Sequence, residues 1–240
     1  MFYLILPVLL TIGYGQVAAQ NHALGQTNSG ITYVNGQGMP QSNAETLSWY
    51  RKAAEKGHAV EQAYLGYLYQ HGKGVPQSDA EAVAWYRKAA EQGNAMGQVN
   101  LGQMYANGQG VPQSDAEAVA WYHKAAEQGQ AAGQAYLGYM YQRGKGVPQS
   151  DTEAVAWYRK AAEQGHGAGQ RSLGWMYAKG RGISQDAVKA YMWESLALLN
   201  GEAKAGALLD EVAKQLTPSQ ISQAQALAQT CRASNYQTCE

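Results

Sequence analysis

The chain has 240 residues, with 18 Lys and Arg set against 18 Asp and Glu, for a formal net charge of zero. A nucleic-acid binder needs a cationic surplus to displace counterions from phosphates, so this balance argues against that class and gives no pull toward anionic lipid. Phe occurs once, at Phe2; the aromatic surface is therefore Tyr and Trp, rings with an apolar body and a polar tip that suit half-exposed grooves.

Residues 1–19 are apolar, then small, and the first charged residue is Glu45. Val17-Ala18-Ala19 before Gln20 has the spacing of a signal-peptidase site, so residues 1–19 read as a cleaved leader of an exported protein. The n-region departs from that pattern in having no Lys or Arg, which leaves a retained anchor or a core helix as alternatives. Pro7 and Gly13 argue against a stable helix and against a full span, which needs roughly 20 apolar residues. The mature chain is expected to have no integral membrane span and to sit in the periplasm or outside the cell. Residues 20–42 read as a tether with a degenerate first helix.

From residue 43 to 201 the chain repeats. Trp49, Trp85, Trp121, Trp157 and Trp193 fall 36 residues apart. The clearest unit, AYLGYLYQHGKGVPQSDAEAVAWYRKAAEQG, starts at Ala63 and recurs from Val99 and Ala135, with a divergent copy from Arg171 to Gly201. A weaker copy before the first keeps Gly30, Tyr33, Gly36, Gly38, Pro40 and Trp49-Tyr50 in register. A fixed period of this length means an array in which each unit packs on its neighbours.

Each unit reads as two helices. The first carries Leu65-Gly66, Leu101-Gly102, Leu137-Gly138 and Leu173-Gly174, where recurring glycine implies close helix approach, followed by Tyr69, Tyr105, Tyr141 and Tyr177. The pairs Gly72/Gly74, Gly108/Gly110, Gly144/Gly146 and Gly180/Gly182 make the turn. The second helix opens on S-x-x-E capping boxes at Ser42, Ser78, Ser114 and Ser150, with Pro40, Pro76, Pro112 and Pro148 just upstream. It places Ala82, Val83, Tyr86, Ala89 and Ala90 on one stripe and ends at Gly93, Gly129, Gly165 and Gly201.

These residues carry a resemblance. The pattern LG-x-x-Y…G-x-G-V…A-x-x-WY-x-KAA-x-QG is similar to the Sel1-like repeat family, relatives of the tetratricopeptide repeats. The resemblance implies an all-α fold, an α/α solenoid winding as a right-handed superhelix of antiparallel helix pairs, and a scaffold or adaptor function. The fourth copy departs from the pattern: Ser184 replaces the proline and the Ser-x-x-Glu box is gone. Residues 202–230 then read as capping helices, including one started by Pro218, that cover the last apolar face. In residues 231–240, Cys231 and Cys239 would close a small loop in an exported protein; the alternative is two free thiols in a frayed tail.

No catalytic constellation emerges. The GKG and GQG segments lack a Gly-Lys-Ser/Thr ending and read as turns. His58 and His166 share a corner position after the glycine, His71 and His123 stand where other copies have Asn, Arg or Lys, and no pair has zinc spacing. Glu81, Glu117 and Glu153 serve the caps. No cofactor or metal is expected. Trp85, Trp121 and Trp157 are too regular for specificity and read as core or interlayer spacers, and Lys88, Lys124 and Lys160 as solvated helix-end charges.

The copies disagree along the first helices at i, i+4, i+7 and i+11, which lie on one face. From these positions we expect a partner-binding stripe of Tyr64, Tyr67, His71, Asn100, Gln103, Tyr136, Tyr139, Arg143, Trp175 and Lys179. Val60, Met96, Ala132, Ala168, Ser172 and Asn107 complete the face. The function this predicts is a non-enzymatic adaptor holding a peptide or protein segment in a concave groove. The alternatives are an envelope accessory protein that regulates a cell-wall enzyme or touches a host surface, and a hydrolase with a cryptic site.

Overall fold

The computed structural model describes residues 43–239. The leader expected at 1–19, the tether at 20–42 and the Ser42 cap lie outside the described residues. The described residues form eleven helices: α1 Asn43–Glu55, α2 Ala59–His71, α3 Asp79–Glu91, α4 Ala95–Asn107, α5 Asp115–Glu127, α6 Ala131–Arg143, α7 Asp151–Ala162, α8 Gly167–Lys179, α9 Ala187–Leu199, α10 Ala205–Ala213 and α11 Pro218–Ala233. Each helix through α9 packs on the next, as in an α/α solenoid, and α9 also packs on α10 and α11. The first helices of successive units (α2, α4, α6, α8) touch one another along the array.

Local chemistry explains the boundaries. Ser78, Ser114 and Ser150 each accept a hydrogen bond from the amide three residues on, at 3.2–3.3 Å, which satisfies an orphan donor of the second helix. In the fourth copy Asp186 does the same for the Lys189 amide at 2.9 Å, so the helix is capped without the serine. Gly72, Gly108, Gly144 and Gly180 end the first helices in the left-handed region, with φ of 63° to 66°. A side chain there would meet strain that glycine does not.

The sequence expectation of close approach at the Leu-Gly pairs holds. A Cβ on Gly66 would lie 2.6 Å from Cδ1 of Tyr86, and one on Gly102 2.7 Å from Cε1 of Tyr122. Each tyrosine ring thus packs directly against bare backbone, and Tyr86, Tyr122 and Tyr158 are buried. A second set of contacts was not legible as such: Gly97, Gly133 and Gly169 bring the first helix onto Ala89, Ala125 and Ala161 of the preceding unit, at 2.7–2.8 Å for a virtual Cβ.

A ladder of buried glutamines links the layers. Gln62, Gln98, Gln134 and Gln170 donate to the carbonyls of Ala54, Ala90, Ala126 and Ala162 in the preceding second helix, at 3.0–3.2 Å. Their own Oε1 atoms accept from Gln92, Gln128, Gln164 and Asn200 of the next second helix, at 2.6–2.8 Å. Three successive helices are thereby tied by one amide, and a buried polar group is kept satisfied.

The tryptophans take an intermediate position. Trp85, Trp121 and Trp157 are half-buried and pack back against the apolar cluster of the unit before their own. Lys88, Lys124 and Lys160 lie over their rings, with Nζ 3.9–4.0 Å from the centroids. These lysines are therefore not simply solvated helix-end charges, as the sequence suggested; they cover an aromatic face that would otherwise meet water.

The C-terminal cap buries Trp193 completely, among Met192, Leu196, Val212, Ala224 and Ala228. Cys231 and Cys239 form a disulfide. Cys231 lies in α11, which runs to Ala233, so the capping helix extends past the boundary expected at residue 230. The closed loop aims Tyr236 at the array, where its hydroxyl meets the side-chain amide of Asn200 at 2.9 Å, the last rung of the glutamine ladder.

Candidate functional site

The first helices place all ten expected partner-binding residues on the surface or at partial exposure. Tyr136 and Tyr139 are 37% and 41% exposed, among the most open large aromatic side chains of the described residues. The stripe is contiguous in places. On α2, Tyr64 stands 5.8 Å from Tyr67, and Tyr67 stands 4.3 Å from the His71 ring. Gln103 on α4 donates to the hydroxyl of Tyr136 on α6, joining two layers. Arg143 lies over the Tyr139 ring at 5.8 Å.

Not every member is equally free. Tyr64 leans on Tyr50 of α1, with ring centroids 4.1 Å apart, and burial holds its phenol above the usual range. Lys179 bridges to Glu211 of α10 at 2.9 Å, so it serves to dock the cap as well as to edge the stripe. Asn100 is half-buried. Trp175 lies beneath the Arg181 guanidinium at 5.7 Å and packs on the terminal core.

The structure adds residues that sequence reasoning missed. Lys73 donates to the Tyr67 hydroxyl at 2.7 Å. Lys145 and Arg181 stand at the same place in later turns, and Arg181 makes a two-pronged bond to Asp151 at 2.8 and 3.1 Å. Their signal in the sequence is the middle residue of each G-x-G turn. Beneath the stripe, the Tyr86 and Tyr158 hydroxyls donate to Gln70 and Gln142 at 2.7 and 2.9 Å. Tyr122 has Ala106 in place of that glutamine and instead stacks on Tyr136 at 5.0 Å. Burial raises the phenol pKa of all three buried tyrosines.

In the fourth copy Glu194 occupies the tyrosine position. It is fully buried against Gly174, neither carboxyl oxygen has a hydrogen-bond partner, and Ala178 stands where Gln70 and Gln142 stand elsewhere. Burial pushes its pKa from 4.5 up to about 8, an effect that Arg171 opposes and Glu202 reinforces. Arg171 lies 3.5 Å from Glu202.

Among the described residues, His71, His123 and His166 have structural partners. His166 Nδ1 accepts from the Gly169 amide at 3.2 Å and caps α8, as Asn94 caps α4 and Gln130 caps α6; burial lowers the His166 pKa. His58 occupies the same corner without a side-chain bond. The His71 ring meets the Tyr67 carbonyl at 3.0 Å, and His123 meets Glu127 at 3.4 Å on the exposed face of α5. Among the described residues, no group of three or more His, Cys, Asp or Glu side chains is placed to hold a metal ion. None of the described helices is long and apolar enough to cross a membrane.

Comparison with known proteins gives a consistent answer. The Sel1 repeat family matches residues 23–58, 62–94, 95–130, 131–166 and 167–201. A Sel1 repeat protein from Oxalobacter formigenes is 38% identical over 80% of this chain and 76% of that one, with a TM-score of 0.73. The protective antigen c5321 of uropathogenic Escherichia coli strains is 31% identical, with a TM-score of 0.54. The match covers 93% of this chain and 56% of the antigen. Immunity protein Pa5087 from Pseudomonas aeruginosa shares the fold at 20% identity and a TM-score of 0.58, over 90% of this chain and 84% of that one. No curated protein matches. With five consecutive matched segments and helix pairs stacked unit on unit, the chain belongs to the Sel1 repeat family, whose members are generally protein-interaction scaffolds.

Proposed function

We propose that this protein is an exported, non-enzymatic adaptor that holds an extended peptide or protein segment along its first-helix face. One observation carries the reading. Along the first helices, positions that vary between copies fall on a tyrosine-rich stripe that is at least partly exposed, while the repeated Leu65, Gly66 and Gln62 positions and their equivalents are buried. A solenoid needs the repeated positions to build itself and is free to specialise the others. Rigid Tyr and Trp side chains offer large contact area at low entropic cost.

Two further features support it. First helices touch one another along the array, which favours curvature toward their side and a groove there. The bonded Cys231–Cys239 pair suits an oxidising compartment, in keeping with a cleaved leader at 1–19 and a periplasmic or extracellular location.

The test is a crosslinked pull-down from the native envelope fraction, with the wild-type chain beside a Tyr67→Ala, Tyr139→Ala, Trp175→Ala triple variant. Loss of a specific partner with unchanged helical circular dichroism supports the reading. Undiminished capture of the same partner contradicts it.

A further inference from the structure

Charge is divided between the two faces of the array. In the first helices and their turns, 59–74, 95–110, 131–146 and 167–182, there are six Lys or Arg and a single acid, Glu61, which is buried. The other carboxylates within residues 59–182 lie on the second helices and their ends, at Asp79, Glu81, Glu91, Asp115, Glu117, Glu127, Asp151, Glu153 and Glu163, where they outnumber Arg87, Lys88, Lys124, Arg159 and Lys160. A chain of zero net charge thus presents a cationic first-helix face.

The cations differ in what occupies them. Those of the fourth copy are engaged: Arg181 by Asp151, Lys179 by Glu211 and Arg171 by Glu202. Lys73, Arg143 and Lys145 have no carboxylate within bridging distance among the described residues; the first touches the Tyr67 hydroxyl and the second the Tyr139 ring. The contrast between Lys145 and Arg181 is direct, because they hold one repeat position. Arg181 reaches the carboxylate of Asp151, while Lys145 leaves Oδ1 of the equivalent Asp115 unpartnered. Between the two free stations lies a neutral unit with Gln103, Asn107 and Gln109.

We propose that the segment bound on this face is acidic, carrying carboxylates at two places that meet Lys73 and the Arg143/Lys145 pair. This rests on the groove reading above. The stations are two layers apart, roughly 20 Å at about 10 Å per helix layer, which an extended chain spans in about six residues. The intervening residues face Gln103 and Tyr136, so neutral polar or aromatic side chains fit between the acids. Cations without a carboxylate partner favour a carboxylate ligand by charge and by charge-assisted hydrogen bonding, while the neighbouring rings offer contact area to the side chains between the acids.

The experiment selects a displayed library of random dodecapeptides on the immobilised full chain. The best binders are then measured by fluorescence anisotropy against the wild type, against Arg143→Glu with Lys145→Glu, and against the Tyr67/Tyr139/Trp175 alanine variant. The expected result is Asp or Glu enriched at two positions about six residues apart. Affinity should fall about tenfold on charge reversal and comparably when salt is raised, the latter needing no variant. Neutral or basic peptides that lose binding in the alanine variant would overturn the acidic assignment and leave the groove intact. Failure to select any peptide sensitive to the alanine variant would overturn the groove itself. Tighter binding of a twelve-nucleotide oligothymidylate than of any peptide would also overturn the proposal.

Discussion

The side-chain amide of Gln128 donates to the side-chain oxygen of Gln98 at 2.7 Å, 30 residues back along the chain. Gln98 in turn donates to the Ala90 carbonyl at 3.2 Å, so one buried side chain holds α3, α4 and α5 together. Replacing Gln98 by Ala removes both side-chain hydrogen bonds and opens a small void in a buried position. We expect a loss of about 2–4 kcal/mol. Denaturant unfolding checks it: Gln103→Ala, on the exposed face of the same helix, should cost well under half as much.

The glycines separate into two kinds. Gly102→Ala drives a methyl group into the Tyr122 ring, which is buried and cannot swing aside. Gly129→Ala meets open space and only a φ of 82°. The first is expected to cost about 2–3 kcal/mol and the second about 1. Paired melting curves compare them, and equal losses would contradict the packing account.

Much of this was legible because the chain repeats itself. Leu-Gly, the serine caps and the glycine turns each fix a local conformation, and four copies made their positions unambiguous. The ladder was not legible as a ladder. Gln62 and Gln92 sit 30 residues apart, and nothing in spacing alone says that two amides meet. Asp186 as a cap was missed because the fourth copy shifts from serine to aspartate. The stripe was legible as a face, but its internal pairing was not: that Lys179 would be drawn to Glu211 depends on where α10 folds back.

Glu194 predicts a pH dependence of stability. Its folded pKa, about 8, lies above the ordinary value of 4.5. Below 4.5 both states are protonated and there is no penalty. As pH rises from 4.5 toward 8, the unfolded chain ionises while the folded one retains its proton, so stability falls across that window and levels off above it. Glu194→Gln, which mimics the protonated group, should flatten this slope and raise the melting temperature near pH 8. Glu194→Tyr with Ala178→Gln should do so too, by restoring the hydrogen bond that Tyr86 and Tyr158 make. A slope unchanged in Glu194→Gln would contradict the assignment.

Opening the disulfide should loosen the cap rather than the array. Cys231→Ser with Cys239→Ser releases the loop that presents Tyr236 to Asn200 and is expected to cost about 2 kcal/mol. Hydrogen exchange should rise in α10 and α11 and stay unchanged in α4 to α6. Uniform loss of protection would show that the terminal rung supports the whole ladder.

The claim that recognition lies on the first helices, with the second helices as scaffold, can be read from the tryptophan indoles. The six indole N–H signals of the 15N-labelled chain report both faces: Trp175 marks the stripe, while Trp85, Trp121 and Trp157 lie on the second helices. A selected peptide should be titrated in and the spectrum followed. The Trp175 signal should move while those of Trp85, Trp121 and Trp157 hold still. Movement of the Trp85, Trp121 and Trp157 signals with a fixed Trp175 would contradict it.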